Sequence, residues 1–253
     1  MAVEPHALGW RAAWQRLGAG LTTALLDLVL PARCAGCNAV IAADELLCPA
    51  CAPTLVAVER ACRCCGAPDA PAPRCGSCQA NPPPFRRAWA PWLYGGELAR
   101  AIRQLKYSAA THLVRPLGRL LPALDGGAAG SRVAPVLLLP VPLHRDQLVR
   151  RGYNQAALLA RELARRERAP IDYRALLRVR ATCPQVGLGR RARERNVAGA
   201  FRACPERVGG RQVVLVDDVI TTGATAAACT RALRRAGAAA VEVLALARAV
   251  SPR

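Results

Sequence analysis

The run Val213-Val214-Leu215-Val216-Asp217-Asp218-Val219-Ile220-Thr221-Thr222-Gly223-Ala224-Thr225 decides the fold of this 253-residue chain. Four consecutive apolar residues read as a strand buried on both faces, as the strands of a parallel sheet are. Asp217 and Asp218 then stand at its carboxyl end, where open α/β sheets bind ligands. Adjacent carboxylates there suit ribose hydroxyls or a bound Mg²⁺. Thr221, Thr222, Gly223, Ala224 and Thr225 turn into a helix, and their amides and hydroxyls, with the helix dipole, make an anion site of phosphate size. A side chain at Gly223 would block a close approach of phosphate to the backbone. A threonine-rich helix cap is the plain alternative, and paired acids also occur in receiver-type domains, but this ordered combination is rarer than either.

Outward from that run, Ala88–Tyr94, Val136–Val141 and Val241–Ala247 read as further strands. Glu97–Tyr107, His112–Leu121, Asn154–Arg166 and Thr225–Arg235 carry helical apolar spacing. Gly237 ends the last helix, and Asp125–Ser131 is a Gly/Ala loop. Strands alternating with helices predict an α/β fold with a mainly parallel sheet, right-handed crossovers and flanking helices. The apolar stretch Leu17–Leu30 contains Asp27 and is short for a membrane span, so it reads as an amphipathic helical lead-in. No secretion signal is evident, and the expected compartment is the cytoplasm.

Nine of the twelve cysteines fall between Cys34 and Cys78. Cys34 and Cys37 are followed by Cys48 and Cys51; Cys62, Cys64 and Cys65 are followed by Cys75 and Cys78. Two thiolates two residues apart on a tight turn reach one metal, and two such turns complete a tetrahedral site. Two structural Zn²⁺ sites are expected, Cys34, Cys37, Cys48 and Cys51 at one and Cys62, Cys65, Cys75 and Cys78 at the other, with iron as the competing metal. A cross-braced pairing stays open, as does Cys64 in place of Cys62. The expected organisation is a helical lead-in over 1–33, a double zinc ribbon over 34–80 and an α/β domain over 81–253, the boundary lying near Asn81–Phe85.

The net charge of +19 is unevenly placed. Residues 1–80 hold six Arg against six Asp and Glu, so the whole excess lies in 81–253 and points to an anionic partner. Arginine abundance alone is discounted, because Lys106 is the single lysine and an Ala- and Arg-heavy composition fits a GC-rich coding sequence. Arg145, Arg150 and Arg151, after the rigid Pro140-Val141-Pro142 loop, are placed to clamp a diphosphate, and Lys106 is a further anion contact. Arg190, Arg191, Arg193, Arg195 and Asn196 belong to a Gly- and Arg-rich stretch that begins near Thr182. It reads as a lid or as a track for a nucleic-acid backbone. For any one of these arginines, a solvated surface charge is the competing reading.

The Asp-Asp-x-x-Thr-Thr-Gly-x-Thr loop resembles the signature of type I phosphoribosyltransferases, which hold 5-phosphoribosyl 1-diphosphate with Mg²⁺. By that resemblance Asp217 and Asp218 meet the ribose hydroxyls and Thr221 to Thr225 the 5′-phosphate. Hypoxanthine-guanine enzymes carry an acid where this chain has Thr221, which argues against that substrate class. The cysteine pairs, Ile102-Arg-Gln-Leu-Lys106-Tyr107, Pro-Val-Pro, Arg151-Gly152-Tyr153-Asn154-Gln155, the run ending Arg195-Asn196 with Ala200-Phe201, and the acidic loop occur in one order. Together they resemble the ComF family from about Leu26 to the C-terminus. The resemblance implies a role in competence and in handling single-stranded DNA, with the zinc module docking a protein such as a DNA-translocating helicase. Two other readings accompany it: an active transferase carrying ribose phosphate to a small acceptor, and a nucleic-acid-binding module with a vestigial ribose-phosphate site. No residue stands out as a base for an acceptor.

Overall fold

A computed structural model describes residues 31–70, 73–124, 136–182 and 190–250. The helical lead-in over 1–33, except its last three residues, the Asp125–Ser131 loop and the 183–189 part of the Gly- and Arg-rich stretch lie outside the described residues. The strands are β1 (Ala88–Trp89), β2 (Trp92–Leu93), β3 (Leu137–Pro140), β4 (Leu176–Arg178), β5 (Phe201–Ala203), β6 (Gln212–Ile220) and β7 (Ala240–Arg248). The α-helices are α1 (Gly76–Ala80), α2 (Gly96–Tyr107), α3 (Val114–Arg119), α4 (Arg145–Arg151), α5 (Gln155–Glu167), α6 (Arg190–Val197), α7 (Pro205–Val208) and α8 (Ala224–Arg235).

Five strands form one parallel sheet in the order β1–β7–β6–β3, with β2 continuing β1 along β7. Alternation along each strand divides the core in two. Val214, Val216, Leu244 and Leu246 face α2, α3 and α5 through Leu98, Ile102, Leu117, Leu159 and Leu163. Val213, Leu215, Val243 and Ala245 face α8 through Ala226, Cys229 and Leu233. β4 and β5 pair antiparallel as a separate ribbon, and Phe201 packs into the second core.

Several elements differ from the sequence-based expectation. The strand expected over Ala88–Tyr94 is cut into β1 and β2 at Pro91, which has no N–H for a ladder and whose carbonyl accepts from Val58 N (2.8 Å). The helix expected over His112–Leu121 begins as a 3₁₀ turn at Thr111–Leu113 and runs as α3 only to Arg119. Helices α4 and α6 lie in arginine-rich segments where the apolar spacing does not predict a helix. Most consequentially, β6 does not stop at Val216. It continues through both acids to Ile220 along β7, while β3 ends at Pro140 opposite Val216.

The cysteine-rich segment packs directly on this frame. Cys34, Leu46, Leu47 and Cys48 join the core that contains Leu98 and Ile102 of α2. Asp44 pairs with Arg115 (3.0 Å) and Arg119 (2.7 Å) of α3. On the sheet edge, Leu93 N donates to Val56 O and Ala88 N to Cys64 O, each at 2.8 Å.

Candidate functional site

The extension of β6 beyond β3 leaves Asp217, Val219 and Ile220 lining a cavity of about 450 Å³ at the carboxyl edge of the sheet. Because side chains alternate, the two acids point to opposite faces. Asp217 lines the cavity; Asp218 does not, and is buried on the α2 side, where it pairs with Lys106 from the last turn of that helix. Lys106 itself lines the cavity. Asp218 N also donates to Asp217 Oδ1 (2.9 Å).

The electrostatics are crowded. Burial first, and then the neighbouring Asp218 carboxylate, push the Asp217 carboxyl well above the usual carboxylate range, with Lys106 opposing. Burial works against charge on Lys106, but Asp218 and Asp217 outweigh it and hold the ammonium above its ordinary value. One lysine thus serves two carboxylates. A divalent cation would relieve that imbalance, so the residues fit Mg²⁺.

The strand then turns through Thr221 and Thr222 to Gly223, which has φ +79° and begins α8. Thr222 Oγ1 accepts from Ala224 N (3.4 Å). Thr221, Gly223, Ala224 and Thr225 line the cavity. Their amides meet it at the positive end of a 12-residue helix, an arrangement suited to a phosphate.

The Arg-Gly-Tyr-Asn-Gln motif proves to be a corner between two helices. Gly152, at φ +80°, ends α4. Tyr153 OH donates to Leu105 O. Asn154 caps α5 by accepting from Ala156 N (2.9 Å) and donates to Val141 O (3.0 Å), which fixes the Pro-Val-Pro loop. Gln155 is buried and accepts from Arg151. Of the residues expected to clamp a diphosphate, Val141, Pro142, Arg151 and Lys106 line the cavity; Arg150 lines a neighbouring one, and Arg145 is exposed at the start of α4 and lines neither. Arg193 lines the cavity from α6, whereas Arg195 is exposed and Asn196 half-buried away from it.

Sequence reading missed Arg178, Arg103, Tyr94 and Gln147, all in the lining. Arg178 comes from β4, a three-residue strand too short to show periodicity. Its guanidinium lies 5.6 Å from the Phe201 ring centre and Nε has no hydrogen-bond partner; burial above all pushes its pKa down, while Asp217 supports its charge.

The eight expected ligand cysteines form two tetrads, in each of which the four sulfurs lie within 4.8 Å of one another. Cys37 and Cys48 sulfurs are 3.6 Å apart and those of Cys65 and Cys75 3.7 Å. Tetrahedral Zn–S bonds of about 2.3 Å place sulfurs roughly 3.8 Å apart, so both tetrads fit zinc. Each uses consecutive pairs, not alternating ones, and Cys64 belongs to neither. Burial raises the Cys34 thiol, but the amides of Cys37, Cys48 and Gly36 outweigh it and lower the pKa to about 6. Cys62 is lowered to about 6 in the same way, by the amides of Cys65, Cys75 and Cys64. Their partners are pushed the other way, Cys51 to about 12, chiefly by its contact with the Cys48 thiol, and Cys65 to about 11, chiefly by burial.

A parallel α/β domain with an acidic strand end and a threonine-glycine turn at its carboxyl edge, preceded by two cysteine tetrads, defines the class of protein. A family model described as the double zinc ribbon domain matches residues 25–79. The chain is 36% identical over 218 residues to DNA utilization protein YhgH of Escherichia coli (strain K12), covering 85% of this chain and 89% of that one. It is 34% identical to competence protein F of Haemophilus influenzae over 182 residues, 70% of this chain and 80% of the relative. A partial likeness runs to a solved structure, the allosteric regulatory enzyme of purine biosynthesis: 25% identity, 51% of this chain and 24% of that one, TM-score 0.34. The chain belongs to the ComF family, with YhgH and competence protein F as relatives. Among the described residues no helix is long and apolar enough to cross a membrane.

Proposed function

We propose that the chain binds 5-phosphoribosyl 1-diphosphate with Mg²⁺ in the Asp217–Thr225 cavity and acts in the uptake or handling of single-stranded DNA. The observation that carries the first half is the placement of Asp217 and the Gly223 turn on one cavity wall, with Lys106, Arg151 and Arg178 around it. A ribose laid against Asp217 puts its 5′-phosphate at the N-terminus of α8 and its diphosphate among the cations. Mg²⁺, when bound, neutralises diphosphate charge; Asp217 is the residue nearest to hold it. The names of the relatives, which speak of DNA utilization and competence, support the second half. Zinc–thiolate ribbons suit a reducing compartment, and we place the protein in the cytoplasm.

Calorimetry on zinc-loaded protein tests the ligand. The expected result is saturable heat with 5-phosphoribosyl 1-diphosphate that requires Mg²⁺ and disappears in Asp217→Asn. Absence of heat from the intact protein would sink the reading.

A further inference from the structure

A second and larger cavity, of about 750 Å³, opens on the other side of the Thr221–Ala224 turn. Its opposite wall is the second cysteine tetrad, through Cys65, Cys75 and Cys78. The two cavities share Arg193, Thr221, Gly223 and Ala224, so they are neighbours across a single turn of backbone.

The charge in this second cavity is one-sided. Arg193, Arg231 and Arg248 line it against the single acid Glu194. Arg248, at the end of β7, is only 8% exposed, and neither its Nε nor its Nη1 has a hydrogen-bond partner. A buried guanidinium with unused donors beside an open cavity favours an anionic oxygen acceptor. Arg231, exposed two turns into α8, adds a second cation on the cavity wall.

Geometry indicates which anion. A ribose phosphate bound as proposed has its sugar toward Asp217 and its phosphate at the turn. A phosphate esterified further, as in a polynucleotide, continues past the turn and enters the second cavity. We infer that this cavity holds the next phosphodiester of a single-stranded nucleic acid whose ribose phosphate occupies the first; the assignment rests on the ribose-phosphate reading of that first site.

The test uses the zinc-loaded full chain, a fluorescent oligodeoxythymidylate read by anisotropy, and ribose 5-phosphate read by calorimetry. Arg231→Glu is expected to weaken the oligonucleotide about tenfold and to lower the slope of log affinity against log salt by about one, leaving ribose 5-phosphate within about twofold. Arg248→Lys, with zinc content checked, is expected to weaken the oligonucleotide in the same direction. Oligonucleotide affinity unchanged in Arg231→Glu overturns the inference. So does a result in which the variant loses only competition by inorganic phosphate, which would make the cavity a free-phosphate site. No ribose 5-phosphate heat in the unaltered protein strikes the first-site reading instead, and a loss of oligonucleotide in Arg231→Glu then still supports a strand contact here.

Discussion

Lys106 and Asp218 form an ion pair that ties the last turn of α2 to β6 behind the cavity lined by Asp217. Their side chains are 20% and 5% exposed, so removing the cation leaves a carboxylate buried without its partner. Taking one member from a buried pair costs roughly 3–5 kcal/mol, and partial exposure of Lys106 puts this case at the lower end. Lys106→Met is therefore expected to lower the unfolding free energy by about 3 kcal/mol, measured by urea denaturation. Ligand affinity should fall as well, because the same ammonium lines the cavity.

Asp217 behaves oppositely. Its negative charge is disfavoured by burial and by Asp218, so the fold gains nothing from it. Asp217→Asn is expected to leave stability unchanged or raise it by about 1 kcal/mol while abolishing ribose-phosphate binding. Thermal unfolding and calorimetry on the same sample check both halves, and a clear loss of stability would contradict the electrostatic account.

The cysteine pairing makes a stoichiometric prediction. Purified protein is expected to hold two zinc ions, Cys65→Ser one, and Cys64→Ser still two, because Cys64 stands outside both tetrads. Elemental analysis by mass spectrometry decides it. A drop to one ion in Cys64→Ser would show that the ligand set is wrong.

Two glycines with positive φ separate strain from collision. At Gly223 (φ +79°) an added Cβ comes no nearer than 3.9 Å, to Phe85, so Gly223→Ala should cost about 1 kcal/mol of backbone strain. At Gly66 (φ +68°) the same atom lies 2.6 Å from Ala88 O, a backbone atom that cannot step aside. Gly66→Ala is expected to exceed the first cost by at least about 1 kcal/mol in denaturant unfolding.

Acid sensitivity should trace partly to Asp172. Burial opposes its charge, but the amides of Arg174 (2.7 Å) and Ala175 (3.0 Å) and the Arg207 guanidinium (2.8 Å) outweigh it and depress its pKa. A depressed carboxyl stabilises the fold above its unfolded value of about 3.9 and loses that contribution as pH falls through the folded value. The stability gap between the unaltered protein and Asp172→Asn should therefore be widest above pH ~4 and close below it, as urea midpoints across pH would record.

The strongest sequence signals were those whose chemistry is local. Cys34 through Cys78 declared two four-cysteine sites by spacing, leaving the pairing and the place of Cys64 open, and the Val213–Thr225 run declared a buried strand, a turn and a helix start. What stayed hidden depended on tertiary partners. Nothing in Asp217-Asp218 tells that β3 ends early and β6 goes on, so both acids looked equivalent when one lines the cavity and the other anchors Lys106. Arg178 was invisible because β4 exists only by pairing with β5. The Arg-Gly-Tyr-Asn-Gln motif carries the family resemblance in sequence with no sign of its task, and Tyr153 and Asn154 prove to bond Leu105 O and Val141 O. A motif that holds a corner together is indistinguishable in sequence from one that grips a substrate.

The contacts from Val56, Val58 and Cys64 to β1 and β2 also govern how the protein behaves when metal is scarce. The outer rim of a sheet offers unpaired amides and carbonyls to any passing strand, and proteins keep such rims covered. Here the cover is the segment running into the second tetrad, bonded to Pro91, Leu93 and Ala88 at 2.8 Å. Loss of zinc is expected to loosen that cover along with the cysteines and to leave the rim open to pairing with another chain.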